Sequence, residues 1–407
     1  MRAATSFVLA ACLLAGCHGN RNGGTIAISV IGERSDEAMV AAATSEGLVR
    51  LDREGQVIPG AAARWAILDA GLDYIFRIDD GAGLSAPVVA RRLRDALKRH
   101  RYDPEFAALG PIESIVAVTG TVVEMRLSEP QPDLLPLLAR PEFTVGAPTD
   151  LRAGKAVRGA IALEPPASDD APAPILLRRD RVGRAVVRFQ NGDSELVTGG
   201  TFADLPVARA AQPDRKLLRF DPATGLFGFA IRNAALPATV RTALSLAIDR
   251  DRIVAAIGVP NHAKATTIGG STLEPPLAER RATASALLNG QTTHIRVAMP
   301  RGPGARLLFA FAAQDWAKVG ISAEMVDWHT READLVLVDQ VAPPGTLATL
   351  ACALSASCDP QDRLALINPP FIPVASPVRW SLVAPGLDLF TENGLAAHPL
   401  DQLRSGR

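Results

Sequence analysis

The groups able to do chemistry are few and scattered. The chain of 407 residues carries four cysteines, at 12, 17, 352 and 358, and six histidines, at 18, 100, 262, 294, 329 and 398. No two histidines stand at the spacing that aligns metal ligands on one helix face, so each reads as a surface or solvated side chain. No Gly-x-Ser-x-Gly elbow, His-Glu-x-x-His helix, Cys-x-x-Cys pair or Gly-Lys-Ser/Thr phosphate loop occurs. Gly199-Gly200-Thr201 is glycine-rich, but no lysine follows, which leaves it as a turn. The acidic groups number 43, and no pair of them is singled out by spacing for acid–base work. Nothing here points to an enzyme, a metal or a cofactor. Cys352 and Cys358 admit a disulfide or a metal site. A metal needs further ligands close by, and the neighbouring sequence lacks them. In an oxidising compartment a disulfide is the expectation, and a loop this short adds ~2 kcal/mol at most.

Export is read from the first residues. Met1-Arg2 supplies a positive charge, Ala3–Leu14 an apolar stretch too short to span a bilayer, and Leu14-Ala15-Gly16-Cys17 looks like a bacterial lipobox. Residues 1–16 are then a lipoprotein signal peptide, and Cys17 carries acyl chains; a plain secretory signal is the alternative. Several acyl chains anchor a protein firmly, whereas one is marginal. Lys plus Arg equals Asp plus Glu at 43 each, so no net field exists to hold nucleic acid or an anionic membrane. Tyr74 and Tyr102 are the only tyrosines, which disfavours a sugar cleft built on aromatic platforms.

Periodicity supplies the elements. Val240, Ala243, Leu244 and Ala247 recur at helical spacing, Asp249 suits an N-cap, and Ile253, Val254 and Ile257 give a second stripe that Gly258 and Pro260 stop. Thr25–Ile31 alternates like a strand, and a helix starts near Ala38. Arg53-Glu54-Gly55 and Asp69-Ala70-Gly71 offer turns between alternating runs, with Trp65 as a core anchor. Pro87–Arg101 is an amphipathic helix with a solvated basic face, Ile112–Leu127 reads as two strands, and Leu134–Leu138 as a short helix. Glu164–Pro174 is too proline-rich for anything but a loop. Ile175–Arg178, Ala185–Phe189, Leu226–Ile231, Ile295–Pro300, Ile321–Val326 and Asp334–Asp339 read as strands, and Arg306–Val319 as a helix that Gly320 caps.

Several of these segments resemble one family in the same order along the chain. "VRTALSLAIDRDRIV" (Val240–Val254), "EGLVRLDREGQVIPGAAARWAILDAGLDYIFRID" (Glu46–Asp79), "FAAQDWAKVGISAEMV" (Phe311–Val326), Pro369–Val374 and "LVAPGLDLFTENG" are similar to the bacterial extracellular solute-binding proteins of family 5, which serve peptide and nickel ABC importers. The family's Gly-Thr-Gly-Pro-aromatic turn is replaced here by Val157-Arg158-Gly159-Ala160-Ile161, and only Val341–Asn368 stands where a longer set of helices is usual. The resemblance implies an α/β, two-lobed periplasmic binding protein-like fold (class II). The first lobe would take residues 17–228 with a subdomain at 47–150, the second 229–368, and 369–407 would return to the first. Hinge crossings are expected near Phe229 and Ile372.

The function so implied is a lipid-anchored periplasmic receptor, a monomer, that closes on a peptide or similar small solute and passes it to ABC permease subunits. A receptor for chelated nickel, or a degenerate envelope scaffold without ligand, are the alternatives. In peptide-binding relatives a carboxylate just after the strand corresponding to Asp334–Val338 grips the ligand's amino end. Asp339 is the carboxylate at that position here, and the expected ligand-binding residue.

Overall fold

A computed structural model describes residues 24–32, 35–148, 151–157, 159–166, 173–356, 358 and 370–405. Cys17, with the signal before it, lies outside the described residues. The first lobe is organised around Ile26–Val30, which is buried along its whole length. Such a run suits a parallel strand covered on both faces. It pairs in parallel with Ile175–Arg179 and Leu196–Thr201. Arg379–Val383 then adds antiparallel to Leu196–Thr201, and Leu218–Asp221 closes that edge of a seven-stranded sheet. Helix Ser35–Thr44 follows the central strand. The segment Ala185–Phe189, expected as a strand, is part of helix Val182–Gln190. Its stripe is Val182, Ala185, Val186 and Phe189, which pack on the core at helical spacing. A five-residue window that starts at Ala185 misses the first member of that stripe.

The subdomain is a four-stranded antiparallel sheet of Ala62–Leu68, Asp73–Ile78, Val122–Leu127 and Ile112–Ala117, in that order. Helix Ala86–His100 lays Ala86, Val89, Ala90, Leu93 and Ala96 against it. Trp65 is half-buried and packs on the same core.

A five-stranded sheet makes the second lobe, in the order Ile321–Asp327, Thr293–Met299, Leu335–Val341, Gly225–Ile231 and Phe371–Ala375. The first two strands run parallel and are joined by helix Pro303–Ala317. Phe229 and Ile372 pair with one another inside this sheet. The chain therefore crosses between the two sheets a few residues away from them, at 222–224 and 376–378. Gly225 stands at the first crossing with φ +151°, where a Cβ would lie 2.0 Å from the Gln340 carbonyl oxygen. Only glycine fits there. The tail after Val383 lies on the first lobe, with Asn393 donating its amide to Asp221 at 3.0 Å and Phe390 against the core.

The helix pair is Ala238–Ala247 and Arg250–Ile257. Asp249 caps the second helix by accepting from the Arg252 amide at 3.0 Å, and Gly258 ends it in the left-handed conformation. The polar letters of this stretch are also consumed by structure. Arg250 is 1 % exposed and donates to the Pro373 carbonyl at 2.8 Å and to Glu274 at 3.1 Å. Burial pulls its pKa down to about 10. Asp315, fully buried, accepts from the Asp249 amide at 3.0 Å, Arg252 at 2.9 Å and Arg281 at 2.6 Å. Removing that carboxylate strands two guanidiniums. Asp315→Ala is expected to lower stability by ~3–5 kcal/mol, the scale of a broken buried ion pair. Asp249→Ala should cost ~1 kcal/mol, the scale of a lost cap. Urea denaturation of both variants separates the two; equal small losses would contradict the role given to Asp315.

Candidate ligand-binding site

A cavity of about 500 Å³ lies where the first-lobe sheet, the subdomain and the second lobe meet. Val30 and Thr198 bring the carboxyl ends of two parallel strands to it, the usual place for a ligand in an α/β sheet. Helix Ser35–Thr44 contributes Met39 and Ala42, the subdomain Leu137 and Arg140, and the tail Leu395–Asp401 one further wall. The second lobe adds Val341, Ala342 and Pro343. The Gly199-Gly200 pair is not a loop turn but part of strand Leu196–Thr201, at a register shift against Arg379–Val383. A Cβ on Gly200 would sit 2.2 Å from the Trp380 ring. The glycine is thus what lets Trp380 form the floor, with its indole N–H donating to the Thr201 carbonyl at 2.8 Å.

The charged wall residues are engaged with protein groups. Arg50 lies 3.2 Å from Glu46 and 3.1 Å from Asp401. Arg140 contacts Glu105 at 2.8 Å and lies over the Phe106 ring. Asp221 faces His398 at 3.2 Å and holds the Asn393 amide. Arg379 bonds the Asp339 carboxylate at 2.8 Å and the Asp339 carbonyl at 2.9 Å.

Asp339 is therefore not at the cavity wall. Its carboxylate stands behind Arg379, which is, and which comes from the other lobe's sheet. Burial pushes the Asp339 carboxyl above its ordinary value, against the opposing pull of Arg379 and, more weakly, His262. His262 is half-buried, which lowers its pKa, and its Nε2 meets the Ser376 carbonyl oxygen at 2.7 Å, beside the second crossing. With His398 in the cavity wall and only 6 % exposed, two histidines depart from the expected surface placement. Their partners lie over 100 residues away in the chain, beyond any local pattern. Cys352 and Cys358 are joined by a disulfide, with Cα atoms 5.2 Å apart. Cys352 belongs to helix Leu347–Ala353, which packs on the subdomain turn Pro104–Leu109. Beside it the Gly345 amide donates to Asp133 at 2.6 Å, so second lobe and subdomain touch across the cavity's flank.

The ion pair at the crossings makes a specific expectation. Arg379→Met alone leaves a buried carboxylate unpaired and should cost ~3–5 kcal/mol, whereas Arg379→Met with Asp339→Leu should recover most of it. Thermal and urea unfolding of the single and double variants give the comparison. A double variant as unstable as the single one would mean that the pair is not what Arg379 supplies.

No family model matches the chain. A stretch of 49 residues is 47% identical to the probable deoxycholate-binding periplasmic protein YgiS of Escherichia coli (strain K12), covering 12% of this chain and only 9% of that protein's length. Among solved structures, Haemophilus influenzae OppA in complex with RPPGFSPFR is similar over 94% of this chain and 99% of its own, at 15% identity and a TM-score of 0.74. The Escherichia coli murein tripeptide binding protein MppA is similar over 94% and 99%, at 16% identity and a TM-score of 0.73. The chain thus has the two-lobed periplasmic binding protein fold of the OppA type, the fold of the family 5 solute-binding proteins that its motifs resemble.

Proposed function

We propose that the chain is the solute-binding component of an ABC importer, a monomer held in the periplasm by acyl chains on Cys17, which carries a small solute to the permease subunits. The observation that carries this reading is the cavity of about 500 Å³, placed at the carboxyl ends of the parallel strands and walled by both lobes. That size falls within the roughly 300–1,000 Å³ of small-molecule sites. Two chain crossings beside it are the arrangement that lets lobes hinge open and shut. Binding the closed form more tightly than the open one is then all that closure requires. In this reading Asp339 grips no ligand; it positions Arg379. Among the described residues no three His, Cys, Asp or Glu side chains are grouped so as to hold a metal ion. A scaffold that had lost its ligand would have no use for such a cavity.

Native mass spectrometry of protein purified from its own host tests the proposal. The expected spectrum shows the protein carrying one small molecule, and loss of that molecule in Ala42→Trp, which fills the cavity from an exposed position on its helix. A bare mass for the unaltered protein would support the scaffold reading instead.

A further inference from the structure

The pairing of the wall charges bears on what the cavity accepts. A buried ammonium or carboxylate needs a counter-charge or a set of aimed hydrogen bonds to offset its desolvation. Each arginine on this wall has a carboxylate partner, and the Nε of Arg50 is the one buried side-chain nitrogen of the wall without a hydrogen-bond partner among the described residues. Arg379 is held by Asp339 at 2.8 Å, Arg50 by Glu46 at 3.2 Å and Asp401 at 3.1 Å, and Arg140 by Glu105 at 2.8 Å. The third wall carboxylate, Asp221, holds the Asn393 amide at 3.0 Å and faces His398 at 3.2 Å. A ligand charge that drew Arg379 or Arg50 away would leave Asp339, or Glu46 and Asp401, largely buried and without that counter-charge, which is the expensive outcome, whereas Glu105 beside Arg140 is exposed. Between the pairs the wall is apolar, with Met39, Ala42 and Leu395 at its surface and Leu137, Pro343 and Trp380 buried beneath them. Of the hydroxyls on the wall, those of Thr198 and Ser381 bond one another at 3.4 Å, and Thr144 stands at the start of its strand.

We infer that the solute is a small molecule with an apolar body that carries no charge in the part the cavity encloses, so that a free zwitterionic peptide is not its ligand. The inference rests on the receptor reading above and narrows it. Preformed apolar sites of this kind bind by burying ligand surface, with few polar groups to orient it.

The test uses the delipidated full-length protein and two probes, N-phenyl-1-naphthylamine, neutral and apolar, and the zwitterion trialanine. Fluorescence titration is expected to show one saturable site for the naphthylamine. The site should weaken at least tenfold in Ala42→Trp, with circular dichroism and melting unchanged. Calorimetry with trialanine is expected to show no heat, and the peptide should not displace the fluorophore. Tighter binding of trialanine than of the naphthylamine overturns the inference and leaves the receptor reading standing. A naphthylamine signal that Ala42→Trp does not weaken overturns it too, because the probe is then outside the cavity. If neither probe binds, the inference fails; if the native mass is also bare, the receptor reading fails with it.

Discussion

The buried pair between Arg379 and Asp339 is the contact on which the architecture turns. The two residues belong to different sheets, yet they meet beside the place where the chain passes from one lobe to the other. Neither charge is stable alone at that depth, so each lobe's sheet has to present its partner at the right height. Thr224 works in the same region by hydrogen bonding alone. Its hydroxyl donates to the carbonyls of Ala342 and Gly394, at 3.0 Å and 3.2 Å, one in the second lobe and one in the first-lobe tail. His262 adds the contact to Ser376. The lobes also share a buried apolar core, with Phe202 against Phe227 and the Gly304 amide donating to the Ala203 carbonyl at 3.0 Å, while Gly345 with Asp133 and the short helix Leu347–Ala353 join the second lobe to the subdomain.

Several of the second lobe's charges are paired within it. Asp315 gathers Arg252, Arg281 and the Asp249 amide, and Trp316 next to it donates to the Leu244 carbonyl at 3.0 Å. Arg250 extends the network to Pro373 in the strand that leads back to the first lobe. The disulfide at Cys352–Cys358 follows the helix that touches the subdomain. Charge in this protein is thus mainly a fastening, and the cavity inherits walls on which it is already neutralised.

Much of this was legible from local pattern. The helix pair, its Asp249 cap, the parallel strand–helix–strand unit and the subdomain helix all follow from spacing and from capping chemistry, which are short-range rules. What was not legible is long-range. Asp339 stands at the strand end where a ligand group is expected, but its partner Arg379 is 40 positions on, and no periodicity links them. The crossings were displaced from Phe229 and Ile372 because cross-strand pairing, not composition, decides where a strand stops. Gly199-Gly200 reads as a turn until Trp380 is seen lying on it. The tail wall, Leu395–Asp401, has no periodic signal of its own and is placed by contacts such as Asp401 with Arg50.

The central claim is that the space between the first-lobe strand ends and Val341–Pro343 is where a solute is held. A crystal structure of the protein isolated with its co-purifying molecule tests this most directly. The account predicts density for that molecule against Trp380, Met39 and Pro343, with Arg379 still bonded to Asp339. Density on an outer surface, or a molecule whose charge has pulled Arg379 away from Asp339, would contradict it.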